Sequence, residues 1–130
     1  MKREILFRGL SNQGKGWLYG DLIRNKRGAI AIVPPHPLKV THRYSCYEVI
    51  PDTIGQYTGL KDKDGNKIFE GDIVIIAEKL KTKVVYYDGA FRMQSEFSPT
   101  PTDTTDMGYM MREFSVRVIG NVHDDPELIK

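Results

Sequence analysis

Between Thr53 and Ala77 the sequence runs TIGQYTGLKDKDGNKIFEGDIVIIA, with glycines at 55, 59, 65 and 71 that cut its apolar residues into pieces of strand length. A helix does not survive that spacing, because each glycine inside one costs about 1 kcal/mol relative to alanine. Short strands joined by tight turns do. Asp64-Gly65 reads as a hairpin turn, since both residues tolerate the positive φ of a type I′ turn. Gly71-Asp72 is a further turn, and Ile73–Ala77 is a strand apolar on both faces, which places it inside a sheet and not at an edge. Gly55 and Gly59, inside the strand Ile54–Leu60, indicate a bulge or a close backbone approach.

The flanking segments follow the same pattern. Arg3–Arg8 is a strand with Ile5 and Phe7 on one face, and SNQGKG is a hairpin loop leading to Gly16–Ile23. There Trp17 and Tyr19 fall on one side, Leu18 and Leu22 on the other. Ala29–Val33 and Tyr47–Ile50 are brief strands separated by a proline-fixed connector that begins Pro34-Pro35-His36-Pro37. Leu80–Asp88 alternates, with Leu80, Thr82, Val84 and Tyr86 opposite Lys81, Lys83, Val85 and Tyr87. Asp88-Gly89 is a second hairpin turn into Ala90–Met93. Residues 94–106 hold one large apolar residue among prolines, serines and threonines, so they read as a long mobile loop. Met107, Met110, Met111 and Phe114 are spaced for a short helix, Ser115–Asn121 is a last strand, and Asp125-Pro126 opens a helical turn. The expected core is Ile5, Phe7, Trp17, Leu22, Ile54, Leu60, Ile73, Ile75, Val84, Tyr86, Val118 and Ile119. The fold class is mainly β, an antiparallel sheet with a strong bend or a small SH3-like barrel near residues 54–93, with short helical segments near the C-terminus. One domain over residues 1–130 is expected, with a possible division at residue 50.

At 130 residues and 14.9 kDa the chain can bury about two-thirds of its extended surface, enough for a core without disulfides or metals. Its single cysteine, Cys46, cannot form an internal disulfide. No apolar run reaches membrane-spanning length, and the N-terminus, with charges among its apolar residues, is not a signal peptide. A cytoplasmic protein with no membrane contact is expected. Residues 1–50 hold nine Lys/Arg against three Asp/Glu, a balance of +6, whereas residues 51–130 stand at −4. Such polarity suits a charged partner or a second copy of the chain, although mutual neutralisation within the fold is the commoner outcome.

Catalytic and metal chemistry find little support. DKDGN from Asp62 imitates a calcium loop, but its glycine falls at position 4 and Ile73 at position 12, so the register fails. His36, His42 and Cys46 resemble half of a zinc site without its paired element, with His123 the one further histidine. No nucleophile motif or phosphate-cradling loop is present, and the carboxylate pairs Asp103/Asp106 and Asp124/Asp125 sit where solvation or capping explains them. The expectation is a protein that is not an enzyme and takes no cofactor or metal. Two functions remain. One is protein–protein contact or self-assembly. The other is nucleic-acid binding through Lys61, Lys63, Lys67, Lys79, Lys81 and Lys83 with Tyr87 and Arg92 beside them, basic groups next to stacking surfaces. Lysines on a strand face also serve simply to block edge-to-edge aggregation.

The run IGQYTGLKDKDGNKIFEGDIV is similar, nearly residue for residue, to the motif of the YopX-type proteins encoded by phages and prophages of Gram-positive bacteria. REILFRG…GWLYGDLI resembles that family's opening, PDTIGQYTG its middle and VIGNVHDDPEL its close, so the likeness spans almost the whole chain. It implies a β-rich protein with a small barrel-like arrangement, acting in the bacterial cytoplasm during infection or lysogeny. It carries no catalytic residues onto this sequence. The partners it implies are nucleic acid, or a host or phage protein.

Overall fold

A computed structural model describes residues 2–35 and 45–129. His36 and His42, half of the zinc expectation, lie outside them. The chain forms two compact units, Met1–Tyr57 and Thr58–Lys130, so the division falls seven residues beyond the one read from charge.

In the first unit β1 (Phe7–Leu10), β2 (Trp17–Arg24), β3 (Ile30–Val33), β4 (Tyr47–Glu48) and the beginning of β5 (Gly55–Lys61) make an antiparallel sheet in the order β4-β3-β2-β1-β5. The first strand starts at Phe7, not Arg3, because its register with β2 begins there, Phe7 with Gly20 through Leu10 with Trp17. Ile5 therefore precedes the sheet and is 41% exposed, which removes it from the expected core. Gly20 is required by close approach, since a Cβ there would run into the carbonyl oxygen of Val33. Ile32 is fully buried, and the Arg8 guanidinium lies over the Trp17 ring at 4.9 Å. A 3₁₀ turn, Pro51–Thr53, stops the strand run where proline was expected to stop it.

The second unit holds the rest of β5 with β6 (Lys67–Phe69), and a sheet of β7 (Asp72–Ile76), β8 (Leu80–Tyr87), β9 (Ala90–Ser95), β10 (Thr105–Asp106) and β11 (Val116–Asn121). Its order is β10-β9-β8-β7-β11, antiparallel throughout, so the doubly apolar β7 is central as its composition requires. An antiparallel sheet forms, and the described strands close no barrel. One face carries Val74, Ile76, Val84, Met93 and Val116, which pack with Ile68 and with Met107 of α1 (Met107–Glu113) into the unit's core. The Asp106 carboxylate caps that helix, accepting from Tyr109 N–H at 3.0 Å. Tyr86 shares the core face but sits at the hairpin end of β8. It is 56% exposed, touching the Phe91 ring edge-on at 5.2 Å, so it is no core residue. At that hairpin Asp88 and Gly89 both take positive φ, as a two-residue type I′ turn needs.

Two turns differ from expectation. In DKDGN only Gly65 has positive φ; Asp62 N–H donates to Asn66 O and Gly65 N–H to Asp62 O, which makes a longer loop around an ordinary turn. Between β7 and β8 the chain reverses at Ala77 and Glu78, both left-handed, where the sequence carries no glycine, asparagine or proline.

Candidate functional site

Because β7 is apolar on both sides, the sheet of the second unit has to be covered twice. Ile73 pairs with Lys83 and Ile75 with Lys81, so these two lysines stand on the face opposite the core, beside Arg92 and Gln94 of β9. Ile73 is fully buried, Ile75, Lys81 and Lys83 are half-buried, and the C-terminal residues lie along the same face. An open cleft of about 510 Å³ remains there, bounded by Lys83 and Gln94 on the sheet, Glu96, Phe97 and Pro99 of the following loop, and Pro126 and Ile129 of the C-terminal segment. A smaller neighbouring groove is lined by Lys81, Glu96, Phe97, Glu127 and Leu128. Phe97 is 79% exposed at the rim shared by both, the most exposed of the large apolar residues described.

The loop that carries Phe97 is held internally. Gln94 is 5% exposed, and its Nε2 donates to Ser98 O at 2.9 Å. Ser98 Oγ donates to the carbonyl oxygens of Thr100 and Asp103, each at 3.1 Å, and the Arg92 guanidinium donates to the Thr104 hydroxyl and carbonyl. A segment read as a long mobile loop is thus a series of bonded turns presenting one aromatic ring.

The eight residues expected to contact nucleic acid come from several elements. Lys81, Lys83, Tyr87 and Arg92 share a sheet face, while Lys79 lies in the turn before β8. Lys61 ends β5, Lys63 sits in the DKDGN turn and Lys67 opens β6. Lys63 Nζ is 3.2 Å from Glu78 Oε1, and Arg92 is engaged by Thr104. The lysines of β8 lie on a central strand, so they do not guard an edge.

Edge protection falls instead to Asp62, the residue from which the failed calcium register was counted. It is 6% exposed, and its carboxylate accepts from Asp64 N–H at 2.9 Å, Asn66 N–H at 2.8 Å, Asn66 Nδ2 at 3.3 Å and Val118 N–H at 2.9 Å. With Lys63 N–H donating to Val116 O at 3.0 Å, the turn closes the outer side of β11. Burial works to raise the Asp62 carboxyl, but the N–H groups of Val118, Asn66 and Asp64 outweigh it and hold it below the usual carboxylate range. The Asp62 carboxylate is thus engaged by the fold's own amides.

Beside it, Glu78 takes a bidentate bond from Arg117, at 3.0 and 2.9 Å, and the bond from Lys63. Arg117 and then Lys63 pull its carboxyl down to about 2, and Arg117 is raised in return. These bonds, with Ala77 N–H on Ser115 O at 2.8 Å, fix the left-handed turn. Sequence reading missed this cluster, which joins residues 63, 78 and 117 from three separate segments. Phe97 was equally invisible; its one signal was a large apolar residue alone in a polar loop.

Cys46 and His123 are exposed, and among the described residues no three His, Cys, Asp or Glu side chains come close enough to hold a metal ion. No described helix is long and apolar enough to cross a membrane. Asp124 and Asp125 bond back to Asn121, Asp124 Oδ2 from Nδ2 at 3.0 Å and Asp125 Oδ2 from the backbone N–H at 3.2 Å, so Asp125 does not cap the turn that follows it.

Known proteins sharpen this picture. The crystal structure of protein EF1440 from Enterococcus faecalis is similar over 99% of this chain and 100% of that one, with a TM-score of 0.65 and 25% sequence identity. No curated relative matches the sequence. The YopX protein family matches from residue 6 to residue 130, through the turn glycines, the Asp62 turn and the cleft alike. With nearly its whole length accounted for in this way, the chain belongs to the YopX protein family.

Proposed function

We propose that this protein works by contact with other proteins, and not by turning over a substrate, with the cleft of the second unit as its contact surface. The observation that carries the reading is Phe97, an aromatic ring 79% exposed at the rim of the cleft on a loop held by its own hydrogen bonds. Exposed aromatics beside a concave, partly apolar surface are the usual anchors of protein interfaces. The carboxylates with the strongest local partners, Asp62 and Glu78, are bound by the fold's own donors, which is structural use and not acid–base chemistry. A bacterial cytoplasmic setting, in a cell carrying a phage or prophage, is part of the proposal.

The test is recovery of a partner by the full chain in a Gram-positive host, followed by rebinding of the purified pair. Binding that falls at least about tenfold with Phe97→Ser, with the fold intact by circular dichroism, is the expected result. A partner indifferent to Phe97→Ser overturns it.

Nucleic-acid binding keeps one observation in its favour, the shared face of Lys81, Lys83, Tyr87 and Arg92. Glu96 and Glu127 line the groove beside Lys81, and a polyanion meets them unfavourably. Steeply salt-dependent binding to single-stranded DNA or RNA, lost when Lys79, Lys81 and Lys83 all become Glu, would establish that function in place of the first.

A further inference from the structure

The cleft's lining specifies more than a generic contact. We infer that it accepts an extended peptide segment of a partner protein in which an acidic side chain lies next to an apolar one. This rests on the protein-contact reading above and adds the chemistry of the segment.

Three features select that occupant. Lys83 brings an ammonium to the sheet wall, and among the described residues no carboxylate is paired with it. It stands directly opposite the fully buried Ile73, where water screens it less than at an open surface, so a ligand carboxylate is the complementary group. Gln94 is fixed by its Nε2 bond to Ser98 O, which leaves its carbonyl Oε1 to accept a hydrogen bond. An extended backbone supplies a regularly placed N–H for it; a simple carboxylate does not. Phe97, Pro99, Pro126 and Ile129 supply the apolar part of the lining and have few rotatable bonds, so seating an apolar side chain there orders little of the protein. A volume of about 510 Å³ lies within the range of ligand sites. Glu96, which lines the cleft with Lys83 as well as the neighbouring groove, and Glu127 of that groove weigh against a polyanion and restrict the site to a single carboxylate at Lys83.

The experiment pans a random heptapeptide display library on the full chain. The enriched peptide is then measured by fluorescence anisotropy, beside a version with its acidic residue changed to Lys. The expected consensus places Asp or Glu within two positions of a large apolar residue. Lys83→Glu is expected to reverse the preference between the two peptides by at least tenfold, and Phe97→Ser to weaken both. If Lys83→Glu does not fold, Lys83→Gln supplies the readout by losing the discrimination without reversing it. A consensus without an acidic residue, no consensus at all, or an acidic preference unchanged in the Lys83 variants overturns the inference. So does concentration-dependent dimerisation of the chain alone that Phe97→Ser abolishes, which would put a second copy in the cleft. A partner that needs Phe97 but ignores Lys83 removes the peptide chemistry and leaves protein contact standing; a partner indifferent to Phe97 removes the contact reading itself.

Discussion

Replacing Asp62 with alanine removes one side chain and four hydrogen bonds, two of them to backbone amides of the DKDGN turn and one to Val118 of the edge strand. Water reaches the exposed residues Asp64 and Asn66, so their amides recover part of the loss. Val118 is half-buried and recovers less. With about 1 kcal/mol for each turn amide and 1–2 kcal/mol for Val118, the expected destabilisation is about 3 kcal/mol. Asp62→Asn keeps the shape but turns an NH₂ toward one of the donors, and is expected to cost nearly as much. Trp17 belongs to the first unit and reports on the wrong part of the chain, so the assay is urea unfolding by far-UV circular dichroism, with amide exchange at Val118. A loss of 3 kcal/mol corresponds to a fall of about 100-fold in Val118 protection where that amide exchanges by unfolding of its unit. The acid limb carries a second signature. A carboxyl whose native pKa is depressed stabilises the fold above its unfolded value, near 3.8, and that contribution is lost as pH falls through the native value. The gap between wild type and Asp62→Asn is therefore expected to close below about pH 4. A change under 0.5 kcal/mol at pH 7, or a gap that persists into acid, would refute the assignment of Asp62 as the edge-closing group.

Other outcomes follow from single contacts. Gly20→Ala places a Cβ against the Val33 carbonyl, and a loss of about 2–4 kcal/mol is expected in a thermal melt followed by Trp17 fluorescence. Ala77→Gly relieves a left-handed alanine at an exposed turn and is expected to stabilise the second unit by about 0.5–1 kcal/mol in urea; a loss of stability would deny the strained turn. The Glu78 carboxyl is expected to titrate by NMR at about 2, and to move back toward 4.5 in Arg117→Gln, because Arg117 is its strongest partner. Its contribution is present above about 4.5 and fades as pH drops toward 2.

The parts of the fold that were legible in sequence are those fixed by neighbours in the chain. Asp88-Gly89, the central place of β7, the methionine-faced α1 and the proline stop at residue 51 each rest on local chemistry. DKDGN was legible as a turn, but not the residue that organises it, because Asp62 acts partly through Val118, 56 positions away. The Ala77-Glu78 reversal left no mark because its support comes from Ser115, Lys63 and Arg117. Alternation correctly divided the faces of β8, and a doubly apolar β7 required two coverings. Nothing local indicated that the C-terminal segment supplies the second, which turns Lys81 and Lys83 from an open lysine face into the walls of clefts. Ile5 and Tyr86 failed as core residues for a related reason: alternation assigns a face but not how far along the strand the packing extends.

Which surface meets a partner decides between the two functions. Photo-cross-linking compares the two candidates within one protein, a benzophenone side chain replacing Phe97 at the cleft rim or Tyr87 on the lysine face. Cross-links to protein at position 97, with none at 87, are the predicted result. Cross-links confined to position 87, whether to nucleic acid or to protein, would contradict it.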